Sequence, residues 1–416
     1  MSTLTVFYIK LLLVAASSAV VWRGARADSF WEKLYRKQQG DRILGLAILL
    51  CRILPFMIIY LVLHQVPRGD IPFFWGKASG AYHGGMVYRD FPSYHAPVFS
   101  YIITLPLFLW YNTKAIVLLM VLLECLIVWG TYRTYRSQGA KAIQSTVLYL
   151  LLPAPLVMVL LGGQEDIWLW GIAVWMLYYF QRTKDDGLGL GVRYSVGLLT
   201  IKATFGFWLF PLWFLLQKRW LFLLGMVIVG VPSLIALYLL MKFDFLMPLQ
   251  MTANLLTPNL FTIARPLITS LSGQAPDLAF FSWLGVLLTL STAIWVTYRA
   301  RHQSLVRTLP LAFLATYISM TIFQSSSVGY YAFTYMLPLL MEMVDWKNRR
   351  EVALLLFFNA LLVVQPFLFT HLQSPTYDDM SVMAHPLYFL EYTLQVVNVG
   401  CFGWYLRKVY QKAAAC

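Results

Sequence analysis

Pro97-Val98-Phe99-Ser100-Tyr101-Ile102-Ile103-Thr104-Leu105-Pro106-Leu107-Phe108-Leu109-Trp110-Tyr111-Asn112 decides how this chain is threaded. The stretch is apolar, but it starts at a proline and carries Pro106 inside it. It runs only about 16 residues, short of the roughly 20 that cross a hydrocarbon core. Whether it crosses sets the side of every later loop, and the basic residues choose between the two threadings. With 97–112 kept in one leaflet as a re-entrant or interfacial helix, one side collects Arg23, Arg26, Lys33, Arg36, Lys37, Arg42, Arg133, Arg136, Lys141, Arg182, Lys184 and Arg193. The same side also collects Lys218, Arg219, Arg299, Arg301, Arg307, Lys347, Arg349, Arg350, Arg407, Lys408 and Lys412. The other side keeps Arg68, Lys77, Arg89, Lys114, Lys242 and Arg265. Lys10, Arg52 and Lys202 fall within helices, which accounts for all 32 Lys and Arg. Basic loops stay on the cytoplasmic side of a membrane. The non-crossing reading is therefore the expected one, with the long loops 66–114, 242–278 and 371–386 outside.

The rest of the chain fits that frame. Its 416 residues are 60% hydrophobic and only 12% charged, where a soluble domain is about one-quarter charged. A soluble enzyme and a disordered chain are excluded. Continuous rather than alternating apolar runs exclude a β-barrel. The sequence predicts an all-α polytopic membrane protein of about 12–13 transmembrane helices in a single domain over 1–416. Residues 1–42 form an uncleaved hydrophobic helix and a basic cytoplasmic linker. Residues 66–114 form an outer loop with membrane-skimming helices. The net charge of +14 follows from the basic loops, and no nucleic-acid partner is expected. Cys51, Cys125, Cys401 and Cys416 show no metal-ligand spacing, and neither do the histidines.

Acidic residues are not sorted by the positive-inside rule, so their clustering outside is informative. Asp70 follows the apolar run 43–65 closely, at the expected outer boundary. Partial desolvation there raises a carboxylate's basicity and suits a general base; a solvated Asp beside an aromatic belt is the competing reading. Gly162-Gly163-Gln164-Glu165-Asp166 makes a hairpin too short to be well solvated. Adjacent acids there are costly unless paired or functional; simple capping of the next helix competes. Lys202 sits where two short apolar runs meet, and Arg265 lies in an outer loop. Both are candidates for a phosphate, against snorkelling and an ordinary loop charge. Gln324-Ser325-Ser326-Ser327 ahead of Tyr330 and Tyr331 offers hydroxyls to a sugar or phosphate, or merely caps a helix. Arg52 and Glu124 are left to pair with each other or to line a cavity.

Taken in order, these segments resemble the GT-C class of integral-membrane glycosyltransferases, and most the bacterial polyprenol-phosphate-mannose-dependent mannosyltransferases. The resemblance rests on Asp70, Phe74-Trp75, the small-residue segment Ala78–Gly85, Tyr88, and Tyr94-His95-Ala96-Pro97. It continues through Gly163-Gln164 with Asp166, Lys202, and Ser325–Tyr331. The sequence departs from that branch in having His95-Ala96 where a second proline is common.

The resemblance implies a GT-C-like helical bundle that transfers a sugar, mannose being the best guess, from a polyprenyl-phosphate donor. The acceptor would be a glycan, glycolipid or protein. Transfer would be inverting, on the extracytoplasmic side of a bacterial inner membrane, with Asp70 as general base. Asp90, Tyr88, Tyr94, His95, Gln164, Glu165, Asp166, Lys202, Arg265, Ser326 and Tyr330 would bind substrate. A single donor phosphate implies no divalent metal and no cofactor. A lipid or sugar transporter or flippase is the rival from another class, and a GT-C polymerase or ligase is a third reading.

Overall fold

The computed structural model describes residues 3–253, 255–373 and 377–415. Cys416 and part of the 371–386 loop lie outside that description. The helices run α1 (Thr3–Ala25), α2 (Asp28–Arg36), α3 (Gly40–Val62), α4 (Ile71–Tyr82), α5 (Phe99–Phe108), α6 (Thr113–Thr134), α7 (Ala140–Leu151), α8 (Pro153–Leu160) and α9 (Ile167–Thr183). They continue as α10 (Leu188–Thr200), α11 (Ala203–Leu215), α12 (Arg219–Met241), α13 (Leu260–Ser272), α14 (Leu278–Ala300), α15 (Leu305–Phe323), α16 (Met336–Glu342), α17 (Arg349–His371) and α18 (Pro386–Ala414). The described residues contain no β-strand beyond one isolated bridge between Val87 and Phe91.

Among the described residues, seven helices are long and apolar enough to cross a membrane: α1, α3, α6, α12, α14, α15 and α17. An eighth is obtained if α7 and α8, bent by 56°, form one span. Pro153 explains that bend. It holds Leu152 in an extended conformation (φ −62°, ψ 141°) and denies the helix a backbone donor. The other apolar runs of the sequence are helical too, but shorter or more polar than a simple span. α9 has 17 residues and α10 has 13. α18 is long, with 29 residues, but it buries Glu391, Gln395 and Asn398. Hydropathy merges or splits runs without registering where a proline or glycine breaks the helix. This is why the expected 12–13 spans do not appear as that many long helices. The deciding stretch 97–112 contains only α5, about 15 Å long or half a hydrocarbon core.

α15 is the centre of the bundle, 89% buried along its apolar window, with α14 and α18 packed on it. α12 is only 6% buried; apolar on every side, it presents most of its surface outward, as a helix solvated by lipid does. α2 is not a bare linker, since Trp31 and Leu34 are buried and the helix packs on α7.

Arg52 and Glu124 meet inside the bundle. The guanidinium donates to both carboxylate oxygens at 2.5 and 2.9 Å and to the Leu150 carbonyl at 2.8 Å, with both side chains fully buried. Removing one member of a buried pair typically costs about 3–5 kcal/mol, whereas replacing both by apolar groups is near neutral. Arg52→Met should therefore lower the denaturation midpoint sharply. Arg52→Met with Glu124→Leu should recover most of it; an equal loss in the double variant would contradict this.

Candidate functional site

Two glycine-bearing loops bring the acids together. Gly69 (φ +65°) lies so close to Gly162 that a Cβ would stand 2.6 Å from the Gly162 carbonyl oxygen. The Asp70 amide donates to that oxygen at 3.2 Å. Gly163 (φ +65°) packs on Ile71, where a Cβ would fall 2.3 Å from the Ile71 side chain. Only glycine allows both the left-handed backbone and the close approach. Asp70 and Gln164, far apart in sequence, are thus held with the Gln164 amide donating to Asp70 Oδ2 at 2.8 Å.

A third segment closes the group. α10 ends at Thr200, so carbonyls of its last turn are free for other donors. Leu199 and Ile201 accept from the amides of Val98 and Ala96, each at 3.0 Å. That docking sets His95 beside the break between α10 and α11, where Lys202 is extended (φ −144°, ψ 146°). Lys202 Nζ lies 2.6 Å from Glu165 Oε1 and 2.5 Å from Asp166 Oδ1, with the Tyr331 ring 5.1 Å away. His95 Nε2 is 2.9 Å from Glu165 Oε1, and His95 Nδ1 is 2.8 Å from Lys77 Nζ. With Nε2–H donating to Glu165, Nδ1 accepts from Lys77. The imidazole stacks on Phe99 at 4.1 Å, and Tyr88 Oη donates to the His95 carbonyl at 2.5 Å.

The acids at this hairpin do not cap a helix. Asp166 occupies the N-cap position of α9 but makes no side-chain cap bond, its Oδ1 being committed to Lys202. Three buried acceptor oxygens, Gln164 Oε1, Glu165 Oε2 and Asp166 Oδ2, meet no protein donor. An unsatisfied buried polar atom costs about 1–3 kcal/mol, so such a cluster favours a ligand rich in hydroxyl donors.

Burial and neighbouring charge tune the group. Burial and the nearby Glu165 carboxylate raise Asp70 above the usual range, while the Gln164 hydrogen bond opposes them. Burial pushes Asp166 up to about 7 in spite of Lys202. Burial pushes Glu165 up as well, but Lys202 and His95 outweigh it and hold the carboxyl below the usual range. Burial lowers Lys77 to about 7 and His95 to about 4. His95 is therefore neutral at pH 7.

Several expected site residues lie apart from this group in their contacts. Asp90 is exposed, paired with Arg89 at 2.9 Å and accepting from the Met86 amide at 2.7 Å. Arg265 pairs with Asp378 at 2.5 Å. Tyr94 is exposed. Ser326 is half-buried, and the hairpin is tied instead through Ser325 and Ser327, whose carbonyls accept from Asn259 at 3.1 and 3.2 Å. Tyr330, by contrast, stays beside the group: half-buried, it packs edge-on against Tyr331 at 5.4 Å and feels the charges of Asp70, Asp166 and Lys202.

Lys77 was not expected in the site. The sequence does carry its signal: Asp70, Phe74 and Lys77 recur at helical spacing, which puts a lysine on the apolar face of α4. Tyr331, rather than Tyr330, supplies the ring beside Lys202. No protein-family model matches this chain, and no curated protein matches it.

Proposed function

We propose that the chain is a membrane glycosyltransferase that moves a sugar, with mannose as first candidate, from a polyprenyl-phosphate donor to a glycan, glycolipid or protein acceptor. The observation that carries this reading is the convergence of three undonated buried acceptor oxygens with a partly buried carboxylate, Asp70. Sugar hydroxyls satisfy the former, and an acceptor hydroxyl gives its proton to the latter. The acceptor oxygen attacks the anomeric carbon with inversion. The bond from that carbon to the phosphate oxygen breaks, and polyprenyl phosphate leaves with the electron pair. The sugar passes through an oxocarbenium-like transition state. Lys202 neutralises the leaving phosphate. Arg265 would have to release Asp378 to take part. With one phosphate to neutralise, the scheme uses no divalent metal.

In this reading the shorter helices α9, α10, α11 and α16 complete a GT-C-like bundle of about 12–13 crossings, some of them broken. The site faces the extracytoplasmic side of a bacterial plasma membrane. In a cysteine-free background, a cysteine at exposed Gln274 should react with an impermeant thiol reagent added to cells, and one at exposed Lys184 should not. The reverse pattern would overturn the sidedness.

The reaction is tested with purified protein in lipid, polyprenyl-phosphate mannose and an envelope glycolipid extract. Stoichiometric release of polyprenyl phosphate is expected, and no release with any hexose donor would refute the reading. On the same assay, activity should fall with pH as Asp70 becomes protonated, at a midpoint above the ordinary Asp value of 3.8. Glu165→Gln removes a negative neighbour, lowers the Asp70 pKa and should move that acid limb to lower pH. A shift to higher pH would contradict the assignment.

A further inference from the structure

A groove of about 820 Å³ runs between α6, α9 and α10. Its walls are apolar, among them Leu126, Val174 and Trp175, with Leu126 and Trp175 open to the surroundings. One end reaches Trp168 and Thr200, directly beneath the carboxylate cluster. The other reaches Arg133, Arg136 and Arg182 at the opposite ends of α6 and α9. From Trp168 to Arg182 the groove follows α9 for roughly 20 Å. One leaflet's hydrocarbon is about 15 Å deep, so a chain entering at the arginines fills most of it.

The basic end is undercompensated. Asp41 is shared by Arg133 and Arg136, at 3.8 and 3.9 Å, and both arginines keep nearly half of their side-chain surface open. Arg182 lies over the Tyr178 ring at 5.0 Å. Three guanidinium groups at the mouth of an apolar slot, two of them sharing one carboxylate and the third with no carboxylate within salt-bridge distance among the described residues, suit an anionic head group whose tails lie in the slot. We propose that this groove binds one anionic phospholipid from the leaflet at the basic end, its phosphate on Arg133, Arg136 and Arg182 and an acyl chain reaching under the cluster. The proposal is independent of the reaction performed at that cluster.

Delipidated protein in detergent is titrated with phosphatidylglycerol or phosphatidylcholine of equal chain length, and bound lipid is counted by native mass spectrometry. One phosphatidylglycerol should bind roughly 100-fold more tightly than phosphatidylcholine, at about 5-fold for each of the three basic groups. R133Q/R136Q/R182Q should abolish that preference. Should the triple variant not fold, R182Q alone, at an exposed side chain, should reduce the preference about 5-fold. Gly130→Leu should lower occupancy by either lipid, because a Cβ at Gly130 meets only Val174, at an ordinary 3.6 Å, and the longer side chain fills the slot. Equal binding of the two lipids by wild type would overturn the proposal and point to ordinary annular lipid, or to a long isoprenoid tail entering from the cluster end. A preference that survives loss of the arginines would overturn it equally.

Discussion

Asp70→Asn should insert and fold like wild type, bind donor, and transfer sugar at least about 100-fold more slowly, since a general base typically contributes 10²–10⁴-fold. The amide keeps the shape of the carboxylate and can still accept a hydrogen bond, so the contact with Gln164 (2.8 Å) survives in altered form. What is lost is the ability to take a proton. Asp90→Asn is the matched control. Arg89 and the Met86 amide hold the Asp90 carboxyl down at about 2, which makes it a poor base, and its substitution should change transfer less than about 3-fold, well inside the smallest effect of losing a base. Steady-state rates on the purified variants decide the matter. Near-normal transfer by Asp70→Asn together with a dead Asp90→Asn would move the base to Asp90.

Lys202→Met should be the most destabilising single substitution in the site. It leaves Glu165 and Asp166, both almost fully buried, without the ammonium that now lies within 2.6 Å of each. Removing one side of a buried ion pair costs about 3–5 kcal/mol. The unfolding midpoint in detergent should therefore drop markedly and recover when Glu165→Gln and Asp166→Asn are added. An unchanged midpoint in Lys202→Met would mean that the two acids do not depend on Lys202. Lys202→Arg separates structure from donor binding. It keeps the charge and most of the stability, while the larger planar head should raise KM for the donor.

The membrane class was legible from composition alone, and the short helix within 97–112 from its prolines, because both depend on local sequence. The number of long helices was not. Pro153 interrupts an apolar run that hydropathy treats as continuous. In the site, Asp70, Gln164, Glu165, Asp166 and Lys202 were picked out one by one as polar groups in apolar settings and His95 only through the family resemblance, and they form one connected group. Their mutual pairing was not legible. It depends on Gly69 against Gly162 and on two carbonyls at the end of α10, contacts between segments roughly a hundred residues apart. Arg265 and Asp90 looked similar in the sequence because a charge already paired with a local partner has the same residue type as one in the buried group.

Transfer of a lipid-carried sugar by this cluster would show in the envelope glycan profile of the native host. A strain lacking the chain is compared with the same strain carrying the wild-type protein or Asp70→Asn at equal membrane levels. One glycan or glycolipid should lose a hexose in the deletion strain, regain it with the wild-type protein and not regain it with Asp70→Asn. An unchanged profile in the deletion strain, or full restoration by Asp70→Asn, would contradict it.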